Sequence, residues 1–176
     1  MLHFHMVKPQ SRRNFLRSAP LAAAAGFCLA ESSLPALAAA QSTTPVPFQL
    51  FSAAKLANAM KDLQAKPGNN NLFDNPALPF TVVLTTETTK SAKEFEWHEG
   101  RDHIFHILEG TTTYELGGAP QGAHNTKPGE WLAPASQGAT TVTLHKGDML
   151  LIPRGTPHKR STAASVTFYL ISTTGK

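Results

Sequence analysis

The spacing of apolar positions changes once along the chain. Between residues 50 and 65, Leu50, Phe51, Ala54, Ala57, Met60 and Leu63 recur near helical spacing, while Lys55, Asn58, Lys61 and Asp62 fall elsewhere. This predicts one amphipathic helix, capped by Ser52 or the polar residues before it and stopped by Pro67-Gly68. Residues 69–79, rich in Asn and Pro, read as loop. From residue 81 onward the pattern is that of strands. The candidates are residues 81–86, 93–98, 103–109, 112–116, 140–145, 149–152, 158–161 and 166–172, rich in Thr, Val, Ile and Phe and bounded by Gly-Gly, Pro-Gly and Lys-Gly-Asp. Residues 117–137 form a long excursion with little pattern, and long loops of that kind are often functional or mobile. Short strands separated by turn signals fit an all-β double-sheet jelly roll or small barrel, with the helix as an outer lid or brace.

The first 40 residues stand apart. Ser11-Arg12-Arg13-Asn14-Phe15-Leu16-Arg17 has the form of a twin-arginine signal, followed by an apolar run over residues 21–30 and small residues that offer cleavage after Ala38 or Ala40. Starting at Met6 instead of Met1 leaves it unchanged. The run is shorter than the ~20 residues of a membrane span and is diluted by Gly and Ala, so it reads as a signal and not an anchor. Phe27 before Cys28 argues against a lipoprotein, where a small residue is needed. The expectation is folded export by the twin-arginine machinery into the periplasm, with no membrane attachment after cleavage. The expected division is 1–40 signal, 41–80 leader, helix and loop, and 81–176 barrel.

Removing the signal changes the charge. Lys8, Arg12, Arg13 and Arg17 against Glu31 supply three of the four net positive charges, so the sequence pI of 9.4 belongs mostly to the signal. No nucleic-acid footprint and no anionic-membrane patch remains. The only cysteine, Cys28, leaves as well, which excludes disulfides and thiolate chemistry in the mature chain. The 136 residues left from 176 are the size of one domain.

The chemistry lies in two separated stretches. Glu96-Trp97-His98 and His103 come first, and Gly147-Asp148-Met149-Leu150-Leu151-Ile152-Pro153-Arg154-Gly155-Thr156-Pro157-His158 follows. Together they offer three imidazoles and one carboxylate, the donors of a mononuclear transition-metal site. Glu96 and His98 are two apart and share a strand face. In the second stretch, Gly147-Asp148 makes a tight turn, and residues 153–157 bend the chain so that His158 starts a strand aimed inward.

With these residues the chain resembles the cupin superfamily over residues 81–172. Gly147, Pro153, Gly155 and His158 match the family's second motif at every spacing. The first motif is matched in part, by the run Ile104-Phe105-His106-Ile107-Leu108-Glu109-Gly110. Registered on that run, the family's first His falls on Glu96, its second on His98 and its carboxylate on His103, so a carboxylate and an imidazole have traded places. The resemblance implies a jelly-roll barrel, a divalent metal (Fe, Mn, Ni, Cu or Zn) on Glu96, His98, His103 and His158, and a homodimer. It also implies dioxygenase, isomerase or lyase chemistry on a small organic substrate, or else a non-catalytic barrel that binds or senses a small molecule, with or without metal.

Around the ligands, Arg101 and Asp102 lie in the connection between His98 and His103. Asp102 reads either as an acceptor orienting an imidazole or as a solvated turn residue. Phe105 and Ile107 share the face of His103 and are expected as the apolar wall of the metal pocket. His106 falls on the opposite face and reads as packing or interface. No second acid/base residue stands out.

Overall fold

The computed structural model of the chain describes residues 47–175. The expected signal, with Arg12, Arg13, Ala38 and Ala40, lies outside the described residues. Among the described residues, one helix precedes eleven strands. Helix α1, Ala53–Ala65, begins where Ser52 Oγ accepts from Lys55 N at 3.2 Å and ends at Lys66, just before Pro67. It buries Leu63 and packs on β1 (Gly68–Asp74) and β2 (Phe80–Ser91). No helix among the described residues is long and apolar enough to cross a membrane.

The remaining strands are β3 (Phe95–His98), β4 (Arg101–Leu116), β5 (Ala119–Gln121), β6 (His124–Lys127), β7 (Glu130–Ala133), β8 (Ala135–Gln137), β9 (Thr140–His145), β10 (Met149–Ile152) and β11 (His158–Thr174). All pairings are antiparallel. One path runs β1-β2-β11-β3-β7-β6, β4 joins β11 to β9 and β10, and β5 and β8 form a separate ribbon. The fold is an all-β jelly roll with one helix. Its core is Phe105, Ile107, Tyr114, Leu144, Ile152, Val166 and Phe168.

β9 and β10 keep the bounds expected from sequence. Three expectations are corrected. Residues 69–79 are not all loop, because the Asn-rich segment pairs with β2 as an edge strand, where its polar side chains can face water. The excursion 117–137 contains β5, β6, β7 and β8, strands of three or four residues that are too short to show a period. The third correction concerns the four segments 103–109, 112–116, 158–161 and 166–172. They form two long strands, β4 and β11, paired with each other through two irregularities.

Those irregularities decide which side chains face inward. Thr167 pairs with Glu109 and Phe168 with Ile107, so Leu108 is an extra residue on β4. The buried residues of β4 are then His103, Phe105 and Ile107 before the bulge but Thr112 and Tyr114 after it. Gly110 sits at the second irregularity with φ +80°, and a Cβ there would lie 2.1 Å from the Ser165 carbonyl oxygen. Only glycine fits this close crossing of the long strands.

Gly110→Ala is therefore expected to destabilise the fold by about 2–4 kcal/mol, combining left-handed strain with overpacking. Urea unfolding measures it. A change within the error of the wild-type midpoint would mean that the strands do not cross closely there.

Candidate metal centre

Three elements bring the imidazoles together. His98 ends β3, His103 lies near the start of β4, and His158 opens β11. The 153–157 corner is fixed to the first stretch by Gly155 N donating to the His98 carbonyl at 2.7 Å. Gly155 has φ +75°, which permits this approach. The ring centroids are 4.8 Å (His98–His103), 5.5 Å (His98–His158) and 5.7 Å (His103–His158) apart. One donor atom from each lies within 4.8 Å of the others, and all three residues are buried.

Each ring has its Nδ1 engaged. His98 Nδ1 lies 2.6 Å from Glu130 Oε2, across the β3–β7 pair in which the two residues face each other. Arg101 Nη2 is also 3.0 Å from that nitrogen, but a guanidinium only donates. The consistent assignment is that Nδ1–H donates to Glu130, while Arg101 donates to the same carboxylate at 2.7 Å. His103 Nδ1 lies 2.9 Å from Ser172 Oγ, again its cross-strand partner. His158 Nδ1–H donates to the Thr156 carbonyl at 2.9 Å. The partners of His98 and His158 can only accept, so their Nε2 atoms carry the lone pair, and His103 takes the same tautomer when Ser172 Oγ accepts. This is the tautomer a metal needs, and the partner fixes the ring orientation.

The electrostatics agree. Burial, and then the neighbouring His98 and His158, lower the His103 pKa from 6.5 to about 3. Burial also lowers His158, opposed by the Thr156 carbonyl and Glu96. Neutral imidazoles packed together suit a divalent transition ion. Glu96 stands at the rim. Its side chain is 56% exposed, with Oε1 3.6 Å from His158 Nε2. It is beside the cluster without being closed onto it.

The other expected residues sort as follows. Arg101 reaches the site through Glu130. Asp102 orients no imidazole. It accepts from Arg154 N at 2.8 Å and Arg154 Nη2 at 2.7 Å, and the guanidinium holds its carboxyl well below the usual range. Its role is to pin the corner that carries His158. Phe105 lies beside His103, with ring centroids 5.9 Å apart. Ile107 is one inward step further and belongs to the core rather than to the pocket wall. Sequence reading missed Glu130, Ser172 and Thr156. Glu130 lay in the patternless excursion, where Pro128-Gly129 before Glu130-Trp131-Leu132 was the available strand signal.

A cavity of about 330 Å³ adjoins His158, Glu96 and Phe105 and is also lined by Tyr114 and Arg160. Burial pushes the Tyr114 phenol up to about 12, so it keeps its proton at neutral pH. A larger groove of about 550 Å³ is lined mainly by Thr, Ser and Ala side chains and touches none of the three imidazoles. The smaller cavity is the one that shares a wall with the centre.

No model of a protein family matches the chain, and no curated protein does. Similar solved structures include BH2720 from Bacillus halodurans, 16% identical with a TM-score of 0.49, covering 76% of this chain and 86% of that one. A cupin-2 domain containing protein from Shewanella frigidimarina is 17% identical with a TM-score of 0.45, covering 65% and 89%. KdgF from Halomonas sp. is 14% identical with a TM-score of 0.42, covering 61% and 80%. The site is read from this chain's own residues.

The His103 shift sets a pH dependence for metal-free protein. The unfolded chain takes up this proton near 6.5 and the folded chain only near 3, so acid favours unfolding between those values. The stabilisation is complete above 6.5 and lost as pH falls through that window. The melting temperature of metal-free protein is expected to drop there, and less steeply in His103→Gln. Equal slopes for both proteins would contradict a buried neutral His103.

Proposed function

We propose that this chain is an exported cupin that holds one divalent transition metal and acts as a metal-dependent enzyme on a small organic substrate. His98, His103 and His158 would bind through Nε2, with Glu96 as fourth ligand. The observation that carries the reading is the set of three buried imidazoles, one ligand atom from each within 4.8 Å of the others, whose Nδ1 atoms are all hydrogen-bonded. Fe, Mn, Ni, Cu and Zn all accept such donors. The ion would supply Lewis acidity or an anchor for O2, and the adjoining cavity would take the substrate. Oxidoreductase chemistry of the dioxygenase type is the leading reading, with isomerase and lyase chemistry open to the same donor set.

The wider setting belongs to the same proposal. Arg12-Arg13 and the following run support folded export to the periplasm. Met149 and Leu151 on β10 are 66% and 60% exposed, on a strand that pairs only with β4 among the described residues. That apolar edge supports a homodimer.

Elemental analysis after native export tests the centre. Wild type is expected to carry one transition-metal ion per chain and His158→Ala almost none, with the barrel still folded by circular dichroism. Glu130→Gln is expected to weaken metal binding about 10–100-fold by releasing the His98 ring. Full metal in His158→Ala would overturn the assignment.

A further inference from the structure

The wall of the cavity beside His158 is a built polar device. His158, Arg160 and Thr162 are spaced two apart on β11 and so share a face. Arg160 stands opposite Tyr114 in the β4–β11 register and donates through Nη1 to the phenol oxygen at 3.2 Å. Its Nη2 donates to Glu87 at 2.7 Å, and Thr162 donates to the other Glu87 oxygen at 2.8 Å. The guanidinium lies over the Phe168 ring, 4.5 Å from its centroid. These contacts fix Arg160 in one place.

The device also has donors left over. A guanidinium has five N–H groups, and two are engaged with Glu87 and Tyr114. The Tyr114 hydroxyl accepts from Arg160, and its own proton meets no acceptor among the described residues. Both residues line the cavity. Glu87 pairs with Arg160 at 2.7 Å and with the largely exposed Lys90 at 3.7 Å, and Lys93, Glu94 and Glu96 also line the cavity, so the charges around it balance. Both Glu87 oxygens are taken, so Glu87 does not satisfy the remaining donors of Arg160 and Tyr114.

We propose that Arg160 and Tyr114 are the receptor for the carboxylate of a small monocarboxylic acid, held in this cavity beside the imidazole cluster. A remaining guanidinium N–H beside the Tyr114 O–H offers two donors to the two oxygens of one carboxylate, and hydrogen bonds to an ionised acceptor are the stronger kind. Glu94 and Glu96 on the same wall disfavour a second carboxylate. A neutral amide or ester makes only the weaker bonds of an uncharged acceptor. This deepens the proposed function by naming its substrate class, and it rests on that reading only in making the bound acid a substrate. The receptor itself uses no metal.

Calorimetric titration of metal-stripped protein with acetate, pyruvate and benzoate tests it, with acetamide, methyl pyruvate and benzamide as neutral counterparts. At least one acid is expected to bind, with its neutral counterpart at least tenfold weaker. Tyr114→Phe, which keeps the ring, is expected to lose about tenfold in acid affinity while its metal content stays at the wild-type level. No binding by any acid, equal binding of acid and neutral counterpart, or wild-type affinity in Tyr114→Phe would overturn the receptor. Metal uptake without acid binding overturns this inference alone. Acid binding by a protein that takes up no metal overturns the metal centre alone.

Discussion

Three imidazoles can be buried at one point only if each finds a partner for its second nitrogen. A buried ring N–H without an acceptor costs free energy comparable to a lost hydrogen bond. Here the partners come from three directions: the Glu130 carboxylate on β7, the Ser172 hydroxyl late on β11, and the Thr156 carbonyl in the 153–157 corner. Two of the three are direct cross-strand partners of the rings they hold. The register of the barrel and the tautomers of the centre are therefore one constraint. A slip of one residue between β4 and β11 would move Ser172 away from His103 and turn His103 itself outward.

The interior carries a second polar investment. Glu87, Arg160, Tyr114, Thr162 and Thr112 form a connected network on the inward face. Apolar residues of similar volume would fill that space with little loss of stability or even a gain, since burying an ion pair costs several kcal/mol per ion. Stability alone does not account for an ion pair in a barrel whose core is otherwise Phe, Ile, Leu and Val. Its position, sharing a cavity with His158, gives it a use: a fixed set of donors that does not reorganise when an anionic group arrives.

The sequence was legible where local chemistry is strict. The glycine and proline spacing before His158 has few alternatives, and it gave both the turn into β10 and the entry into β11. Composition and the Lys-Gly-Asp turn between them placed β9 and β10 to the residue. Legibility failed where a tertiary partner outweighs local preference. The Asn-rich β1 is a strand because β2 lends it a ladder. The kinks at Gly110 and at residues 162–165 look like strand ends, although pairing continues across them. Glu130 was hidden because a four-residue strand has no measurable period, and its function comes from facing His98 across a ladder that only the fold creates.

Glu96 shows how far geometry carries the ligand set. The Nδ1 proton of His158 is committed to Thr156, so its Nε2 has only a lone pair to offer. Glu96 Oε1 lies 3.6 Å away and also offers only lone pairs while ionised. Two acceptors facing each other are mutually unfavourable unless a cation, a proton or a bridging water links them. A proton is disfavoured on the His158 side, because burial works against the imidazolium. A divalent ion would satisfy both groups together with the Nε2 atoms of His98 and His103. The exposed rim position also lets this carboxylate swing inward at little cost, since its side chain is not held by packing. This supports the proposed ligand set in physical terms: the carboxylate would work from the position next but one to His98, because alternation along β3 gives Glu96 and His98 a common face.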